Sequence, residues 1–339
     1  MQIVSRTTLV LTLLAGSFSA LAQTHWGVEK TMHIGGTGSW DYLTVDAPNH
    51  RLFVPRSTHT MVIDADSGKV LGDIPGQKIA HGVAIVPQAG RGFITDGGGA
   101  IVVFDLKTYD VLGKLASEPD SDGIIYDHAS GQILAVSGDK GVLMTFKPGI
   151  DPANEKIDSP IELGGAPEFL AVDGAGKAYV NLEDKNEVAV VDLKARKVIA
   201  RWSVAPGGAP VGMSIDTKGK RLFIGCRKPA KMIVMSTETG KVISNLPIGE
   251  GVDATRVYGG QAFASCRDGS LTVVGEATPG KFGVVQTVKT AAGARTMDVD
   301  AMTQKIYLPT AEFEPLAPGA TGRPKAKPDS FMIVVVSRQ

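Results

Sequence analysis

Residues 51–71 read RLFVPRSTHTMVIDADSGKVL, and this pattern decides the fold. A strand with an aromatic residue is followed by an apolar run that ends in Asp, then by a polar turn and a strand that begins Lys-Val. Short β-branched runs bounded by turn residues are typical of buried strands. The first strand recurs at a mean spacing of about 42 residues, which is the range for four-stranded propeller blades. Its copies are residues 51–54, 91–94, 132–135, 177–180, 221–224, 261–264 and 305–308.

Each copy is preceded by a further strand that usually ends in Asp, as in residues 43–46 (LTVD) and 298–300 (DVD). The repeat therefore contains four strands, but the last copy ends after its third strand, at residues 333–336. Residues 28–35 (VEKTMHIG) have the pattern of the missing fourth strand. An open solenoid or a sandwich would leave that strand unpaired, whereas in a closed ring it completes the last blade and leaves only short, protected sheet edges. We therefore predict an all-β, seven-bladed β-propeller with four-stranded antiparallel blades, in which the N-terminal strand completes the last blade and closes the ring.

The first 22 residues have the features of a secretory signal peptide. Arg6 precedes an apolar run over residues 9–14, and small residues follow up to an A-x-A-like site at Ala20 and Ala22. We expect cleavage after Ala22, which leaves residues 23–339 as a single propeller domain. The apolar run is shorter than the about 20 residues that a membrane span needs. A soluble periplasmic or secreted protein without a membrane span is therefore expected.

The composition is balanced in charge, with 35 basic and 35 acidic side chains and a formal net charge of zero. Nucleic-acid binding by bulk electrostatics needs a basic surface. The balance argues against that class, although not against a local basic patch. The 41 glycines and 19 prolines are scattered through the chain, which favours many short strands joined by tight turns.

The repeat unit, with RLFV, a strand ending in Ile-Asp and then a turn before Lys-Val, resembles the YVTN repeat of WD40-like propellers. The resemblance covers residues 23–339 and is more specifically to exported YncE-like propeller proteins. It includes a last blade with a Pro-rich loop over residues 311–330. It implies a seven-bladed propeller, a periplasmic location and a binding or scaffolding role without agreed chemistry. Two copies depart from the pattern, with Thr145-Phe146 and Val274-Gly275 in place of Ile-Asp.

The residues at which the first strand of each repeat begins form a polar column. We expect them to converge at the mouth of the central channel and, with the neighbouring Trp40 as an anchor, to bind a ligand. The column comprises Asp41, His81, Asp122, Glu168, Val211, Asp253 and Arg295. Its carboxylates, Asp41, Asp122, Glu168 and Asp253, suit a hard divalent cation such as calcium. The alternative is that channel mouths are wet and polar in any propeller, and that Arg295 offsets the acids.

Three function classes follow from these residues. The first is a non-catalytic binding or scaffold propeller of the cell envelope, whose partner is a protein, a peptide or a small molecule; no resident cofactor is required. The second is a lactonase-type hydrolase, either metal-dependent or with His81 as base, Glu168 as acid and Arg295 as oxyanion stabiliser. The third is a single-stranded nucleic-acid or polyanion binder, with Trp40 available for base stacking. Its basic loop residues are Arg227, Lys228, Lys325 and Lys327.

The two cysteines, Cys226 and Cys266, end the aromatic strands of adjacent repeats. Export permits a disulfide, but equivalent positions on neighbouring blades are expected to be too far apart for one. We therefore expect two independent buried thiols. The long segment over residues 312–329 is expected either to form a lid or binding loop or to be a disordered insertion.

Overall fold

The computed structural model describes residues 25–316 and 322–339, which consist almost entirely of β-strands and turns. The predicted signal peptide, residues 1–22, lies outside the described residues, as do residues 317–321 of the predicted Pro-rich loop. Three short 3-10 helices, Ala47–Asn49, Pro87–Ala89 and Glu183–Lys185, lie between strands. Within residues 25–316 and 322–339, no helix is long and apolar enough to cross a bilayer.

The strands form six antiparallel sheets. The sheet that contains both ends of the described chain consists of β1 (Trp26–His33), β24 (Asp298–Asp300), β25 (Lys305–Thr310) and β26 (Met332–Arg338). A six-stranded sheet consists of β2 (Thr44–Asp46), β3 (Arg51–Asp64), β4 (Val70–Val86), β5 (Arg91–Asp96), β6 (Ala100–Asp105) and β7 (Val111–Ala116).

The other four sheets each consist of four strands that are consecutive in sequence. One of them consists of β8 (Ser121–Asp127), β9 (Gln132–Ser137), β10 (Val142–Phe146) and β11 (Ile161–Glu162). The next consists of β12 (Pro167–Val172), β13 (Lys177–Leu182), β14 (Glu187–Asp192) and β15 (Lys197–Ser203). The third consists of β16 (Pro210–Asp216), β17 (Arg221–Arg227), β18 (Ala230–Ser236) and β19 (Val242–Pro247). The fourth consists of β20 (Val252–Tyr258), β21 (Gln261–Cys266), β22 (Ser270–Thr278) and β23 (Lys281–Lys289).

The first strands of the repeats contact one another in a closed cycle. Each packs beside the next in the order β2, β4, β8, β12, β16, β20, β24 and back to β2. Apolar clusters fill the space between successive sheets, as in the cluster that joins Phe93 to Phe146. The chain is therefore an all-β propeller of antiparallel, mostly four-stranded sheets, as the repeat predicts.

The recurring motif residues have structural roles. The aromatic residue of the second strand is buried in every sheet where it occurs: Phe53, Phe93, Tyr179, Phe223, Phe263 and Tyr307. The Asp that ends the first strand accepts hydrogen bonds from the following turn. Asp300, for example, accepts from Met302 N at 2.8 Å and Thr303 N at 3.1 Å. The short Asp side chain thereby satisfies backbone donors of the turn, which explains why the repeat returns to Asp.

The N-terminal strand joins the last sheet, as the sequence predicts. β1 pairs with β26 from Trp26, opposite Arg338, to His33, opposite Met332. Trp26 is 1% exposed, and its ring packs edge-on against Phe263 at a centroid distance of 5.0 Å. Residues from the two ends of the chain therefore share one sheet and one part of the core.

The six-stranded sheet differs from the predicted set of separate four-stranded blades. β3 runs without interruption through Ser57, where the register of its pairing with β4 shifts. β4 pairs with β3 through Val70 to Pro75 and with β5 through Val83 to Val86, so one long strand belongs to both halves of the sheet. Ser57 in β3 and Gly76 in β4 have positive φ angles, of 60° and 96°, so each long strand turns within its length and the first two repeats share one sheet.

The Pro-rich loop of the last repeat is a narrow ribbon in its described parts. Glu314 N donates to Lys325 O at 2.8 Å, and Lys327 N donates to Glu312 O at 2.8 Å. Phe313 forms an antiparallel bridge with Ala326. Outside residues 317–321, the segment is thus tied to itself rather than structureless.

Candidate functional site

The predicted column converges on one cavity of about 170 Å³. Its lining includes six of the seven column residues: Asp41, His81, Asp122, Glu168, Asp253 and Arg295. They meet because the first strands of the repeats lie side by side around the axis and each carries its column residue near the same end. The seventh, Val211, is fully buried in the apolar core. Trp40 lines an adjoining cleft instead of the cavity itself.

Three column residues form a compact acid–imidazole cluster. His81 Nδ1 lies 2.8 Å from Asp41 Oδ2 and 3.7 Å from Asp122 Oδ1. Burial lowers the pKa of His81, but the hydrogen bond with Asp41 and the negative charges of Asp122 and Asp41 outweigh it and raise the pKa to about 9. Burial and the charge of Asp41 raise the pKa of Asp122 to about 8, although His81 opposes this shift. The cluster as a whole therefore binds protons more tightly than the isolated side chains would.

Glu168 pairs with a second carboxyl group, that of Glu183. Burial, the hydrogen bond with Glu183 and the charge of Asp122 raise the pKa of Glu168 to about 10, and Arg227 only partly offsets this shift. Burial and the neighbouring carboxyl group thus favour the protonated form of Glu168.

Asp253 lies between two guanidinium groups. Its Oδ2 accepts from Arg295 Nε at 2.5 Å, and its Oδ1 accepts from Arg227 Nη2. Arg227 Nη1 also reaches Glu183 Oε1 at 3.4 Å, and Arg295 Nη2 donates to Trp40 O at 2.9 Å. Asp253 is 6% exposed, so these charges neutralise one another in a poorly solvated place. Both carboxylate oxygens of Asp253 are thus occupied by arginine side chains.

Of the four carboxylates predicted as a calcium site, the structure brings only Asp41 and Asp122 into one cluster. The ligand atoms of Asp41, His81 and Asp122 all lie within 4.8 Å of one another, the geometry of a candidate metal site. Asp253 is engaged by arginines and Glu168 by Glu183, so neither carboxyl group faces this cluster as a free ligand. One imidazole and two carboxylates suit a transition metal such as Mn²⁺ or Zn²⁺ better than calcium, which prefers six to eight oxygen ligands.

Three further residues reach this mouth: Glu183 and Arg267 are absent from the predicted site, and Arg227 is predicted only as a polyanion-binding residue. Each lies four positions after the aromatic residue of the second strand, in three successive repeats. The other repeats have Ser57, Gly97, Gly138 and Ala311 at that position. A second aligned column would have revealed them, because both columns reach the same end of the ring.

The other predicted basic residues differ in their surroundings. Arg227 is held by Asp253 and Glu183, and Lys327 forms an ion pair with Glu312 at 2.9 Å. Lys228 and Lys325 form no ion pair within residues 25–316 and 322–339. Trp40 is 5% exposed and packs against Phe331, so its ring is largely covered.

The two thiols are free and buried, as expected. Burial raises the pKa of Cys226 and of Cys266 to about 12 in each case. Thiols that stay protonated in apolar surroundings are inert toward oxidation and metal binding at neutral pH.

The raised pKa values of the residues at the mouth predict a pH dependence of the free energy of unfolding. The pKa values of His81, Asp122 and Glu168 are all raised on folding, so the folded chain binds more protons than the unfolded chain between about pH 4 and pH 10. The contribution of these groups to the free energy of unfolding is therefore largest at the acidic end and is lost as the pH rises through their folded pKa values. Urea unfolding at pH 5.5, 7.0 and 8.5 measures this slope.

Glu168→Gln is expected to flatten that slope, because Gln keeps the neutral hydrogen-bonding group without titrating. Glu162→Gln, at an exposed carboxyl of β11, is the matched control and is expected to leave the slope unchanged. A wild-type slope in Glu168→Gln would show that the pKa of Glu168 is not raised in the folded chain.

No protein-family model matches the chain. The uncharacterised protein YncE of Escherichia coli K12 is 23% identical over 162 residues, which are 43% of this chain and 45% of that protein. YncE of Salmonella typhi is 22% identical over 229 residues, or 62% of each chain. The match thus spans less than half of the curated E. coli relative.

A solved structure shares the fold. Hydrazine synthase of Kuenenia stuttgartiensis superimposes with a TM-score of 0.67 over 85% of this chain and 95% of that chain, at 13% sequence identity. Identity at this level supports the fold and carries no function. By weak sequence similarity and by architecture, the chain is a β-propeller that resembles the YncE-like proteins.

Proposed function

We propose that the chain is an exported β-propeller binding protein of the cell envelope, and that it takes its ligand at the axial mouth. The observation that carries the proposal is the single cavity in which six column residues from different repeats meet. The export rests on the predicted signal peptide at residues 1–22, with residues 23–339 as one domain; fractionation of cells that express the full chain tests it.

We also infer that the ring has seven blades. The closed cycle of contacts passes through seven first strands, from β2 to β24. A backbone hydrogen bond from Ala65 N to His50 O, 2.9 Å long, brings the two ends of β3 together. This supports a reading in which β3 supplies the second and third strands of one blade. β4 then supplies the fourth strand of that blade and the first of the next.

The electrostatics of the mouth favour binding over acid–base hydrolysis. A general base must be unprotonated at the working pH, whereas His81 has a pKa of about 9. An oxyanion stabiliser needs free donors, whereas the guanidinium of Arg295 is directed to Asp253 and to Trp40 O. Polyanion binding is disfavoured by the ion pairs of Arg227 and Lys327 and by the zero net charge.

A divalent cation is a second candidate ligand, favoured by the cluster of Asp41, His81 and Asp122. Asp122 Oδ1 is buried and accepts no hydrogen bond within the described residues, so it is a ligand atom without a partner. A cation there would displace the proton of His81 and take both carboxylates. It would also serve the metal-dependent hydrolase alternative, which chelator-sensitive lactone hydrolysis would identify.

A thermal-shift titration with Mn²⁺, Zn²⁺ and Ca²⁺ tests the cation. Binding to the folded state raises the melting temperature by mass action, so one of the transition metals is expected to raise it and calcium to raise it least. Asp122→Asn is expected to abolish the rise. Asp139→Asn, at an exposed loop position of the same sheet, is expected to retain it. If no cation shifts the wild-type melting temperature, the cluster does not hold a metal.

A further inference from the structure

A second cleft, of about 360 Å³, opens beside the axial cavity. Its apolar part is formed by Trp40 and Phe313, whose ring centroids lie 6.1 Å apart. Its polar part is formed by Arg267, Arg295 and Arg323. Phe313 and Arg323 belong to the Pro-rich ribbon, which therefore forms one wall over the mouth.

The arginines of this cleft differ in their partners. Arg295 is neutralised by Asp253 and Asp41. Neither Arg267 nor Arg323 has a carboxylate within 4.0 Å in residues 25–316 and 322–339. Burial and the positive charges of Arg295 and Arg323 lower the pKa of Arg267 to about 10. The cleft thus contains uncompensated, partly desolvated positive charge, which an anion would relieve.

Trp40, which lines the cleft, also carries an unpaired polar atom. Trp40 is 5% exposed, and its indole Nε1 is buried without an acceptor among the described residues. Buried indole N–H groups usually have a hydrogen-bond partner. The indole N–H, itself shielded from solvent, is thus a further unpaired donor in a residue that lines the cleft.

We propose that this cleft binds a small organic anion with an apolar or aromatic body. The anionic group, a carboxylate or a phosphate, contacts Arg267 and Arg323, which present planar, bidentate donors to such groups. The body packs against Phe313 and the small exposed part of Trp40. The inference rests on the proposed binding function but uses a different cavity from the cation cluster.

Calorimetric titration with four probes tests the proposal. Benzoate and phenyl phosphate carry both the ring and the charge, benzamide carries the ring alone, and acetate carries the charge alone. Benzoate or phenyl phosphate is expected to bind at least about tenfold more tightly than benzamide, which lacks the negative charge, and than acetate, which lacks the ring. No heat with either charged aromatic at millimolar concentration overturns the proposal, as does benzamide binding equal to that of benzoate.

Two variants locate the site. Arg323→Gln, at an exposed position of the ribbon, and Arg267→Gln are each expected to weaken benzoate or phenyl phosphate binding about tenfold. Arg201→Gln, on the outermost strand β15, is the matched control with unchanged affinity. Unchanged affinity in both cleft variants overturns the proposal.

The cation response separates this inference from the proposed function. If neither benzoate nor phenyl phosphate binds but Mn²⁺ or Zn²⁺ still raises the melting temperature, only the proposed anion cleft is overturned. Failure of both ligands overturns the anion cleft and the cation cluster together.

Discussion

Asp253→Asn is expected to lower the free energy of unfolding by about 3–5 kcal/mol, the usual cost of removing one partner from a buried ion pair. Asn keeps the size of the side chain and leaves no cavity, but it removes the negative charge that lies between Arg227 and Arg295. Two guanidinium groups then face each other at a place where Asp253 is only 6% exposed. Urea unfolding followed by far-UV circular dichroism measures the loss.

An exposed ion pair provides the control for this substitution. Glu238→Gln removes the carboxylate partner of Lys220, and both side chains are more than half exposed. That substitution is expected to change stability little, because solvent screens such pairs. A loss in Asp253→Asn no greater than in Glu238→Gln would mean that water already compensates the arginines.

A double variant separates charge imbalance from lost contacts. Adding Arg227→Met to Asp253→Asn removes one unpaired guanidinium and is expected to recover part of the stability. The two substitutions are therefore expected to be non-additive, which a double-mutant cycle measures directly.

A chain that begins at residue 34 is expected not to fold to a stable monomer. It lacks β1, so β26 loses its antiparallel partner and becomes an exposed edge, which promotes aggregation. It also lacks Trp26, and removal of a buried Trp side chain costs about 3–5 kcal/mol by itself. That is a large part of the about 5–15 kcal/mol that stabilises a typical domain. Size-exclusion chromatography and circular dichroism measure the outcome.

The control for this truncation begins at residue 24, which keeps β1 complete and is expected to be monomeric and folded. Addition of a peptide of residues 24–34 to the shorter chain is expected to restore a folded complex, because an extended peptide can add a strand to an open sheet edge. A monomeric shorter chain with the melting temperature of the control would show that closure through β1 contributes little.

The sequence predicts the repeat-based features well because they depend on local chemistry. The aromatic of the second strand and the Asp of the first strand recur at a fixed spacing, and each has the same role in its own sheet. The polar column is equally predictable, because equivalent positions on neighbouring blades lie at the same end of the ring. Six of its seven members line one cavity.

The remaining features depend on contacts that no local pattern encodes. Whether β3 continues through Ser57 or breaks there is decided by the pairing with β4, which merges two repeats into one sheet. The cleft needs Phe313 and Arg323 of the last repeat to fold over Trp40, near the start of the described chain. Asp253 is paired with Arg227, at the end of β17, and with Arg295, just before β24. Its position between two arginines therefore depends on tertiary contacts.

The pairing of β1 with β26 also constrains the time course of folding. Among the described strands, β1 is the first in sequence and β26 the last, so nearly the whole described chain separates the two partners. Bringing such distant segments together carries the loop-closure entropy of nearly the whole chain, which slows the step. The sheets whose strands are consecutive can form before this step. Pairing of β1 with β26 is then expected to be a late event, and until it occurs the other sheets form an open row in which β1 is unpaired.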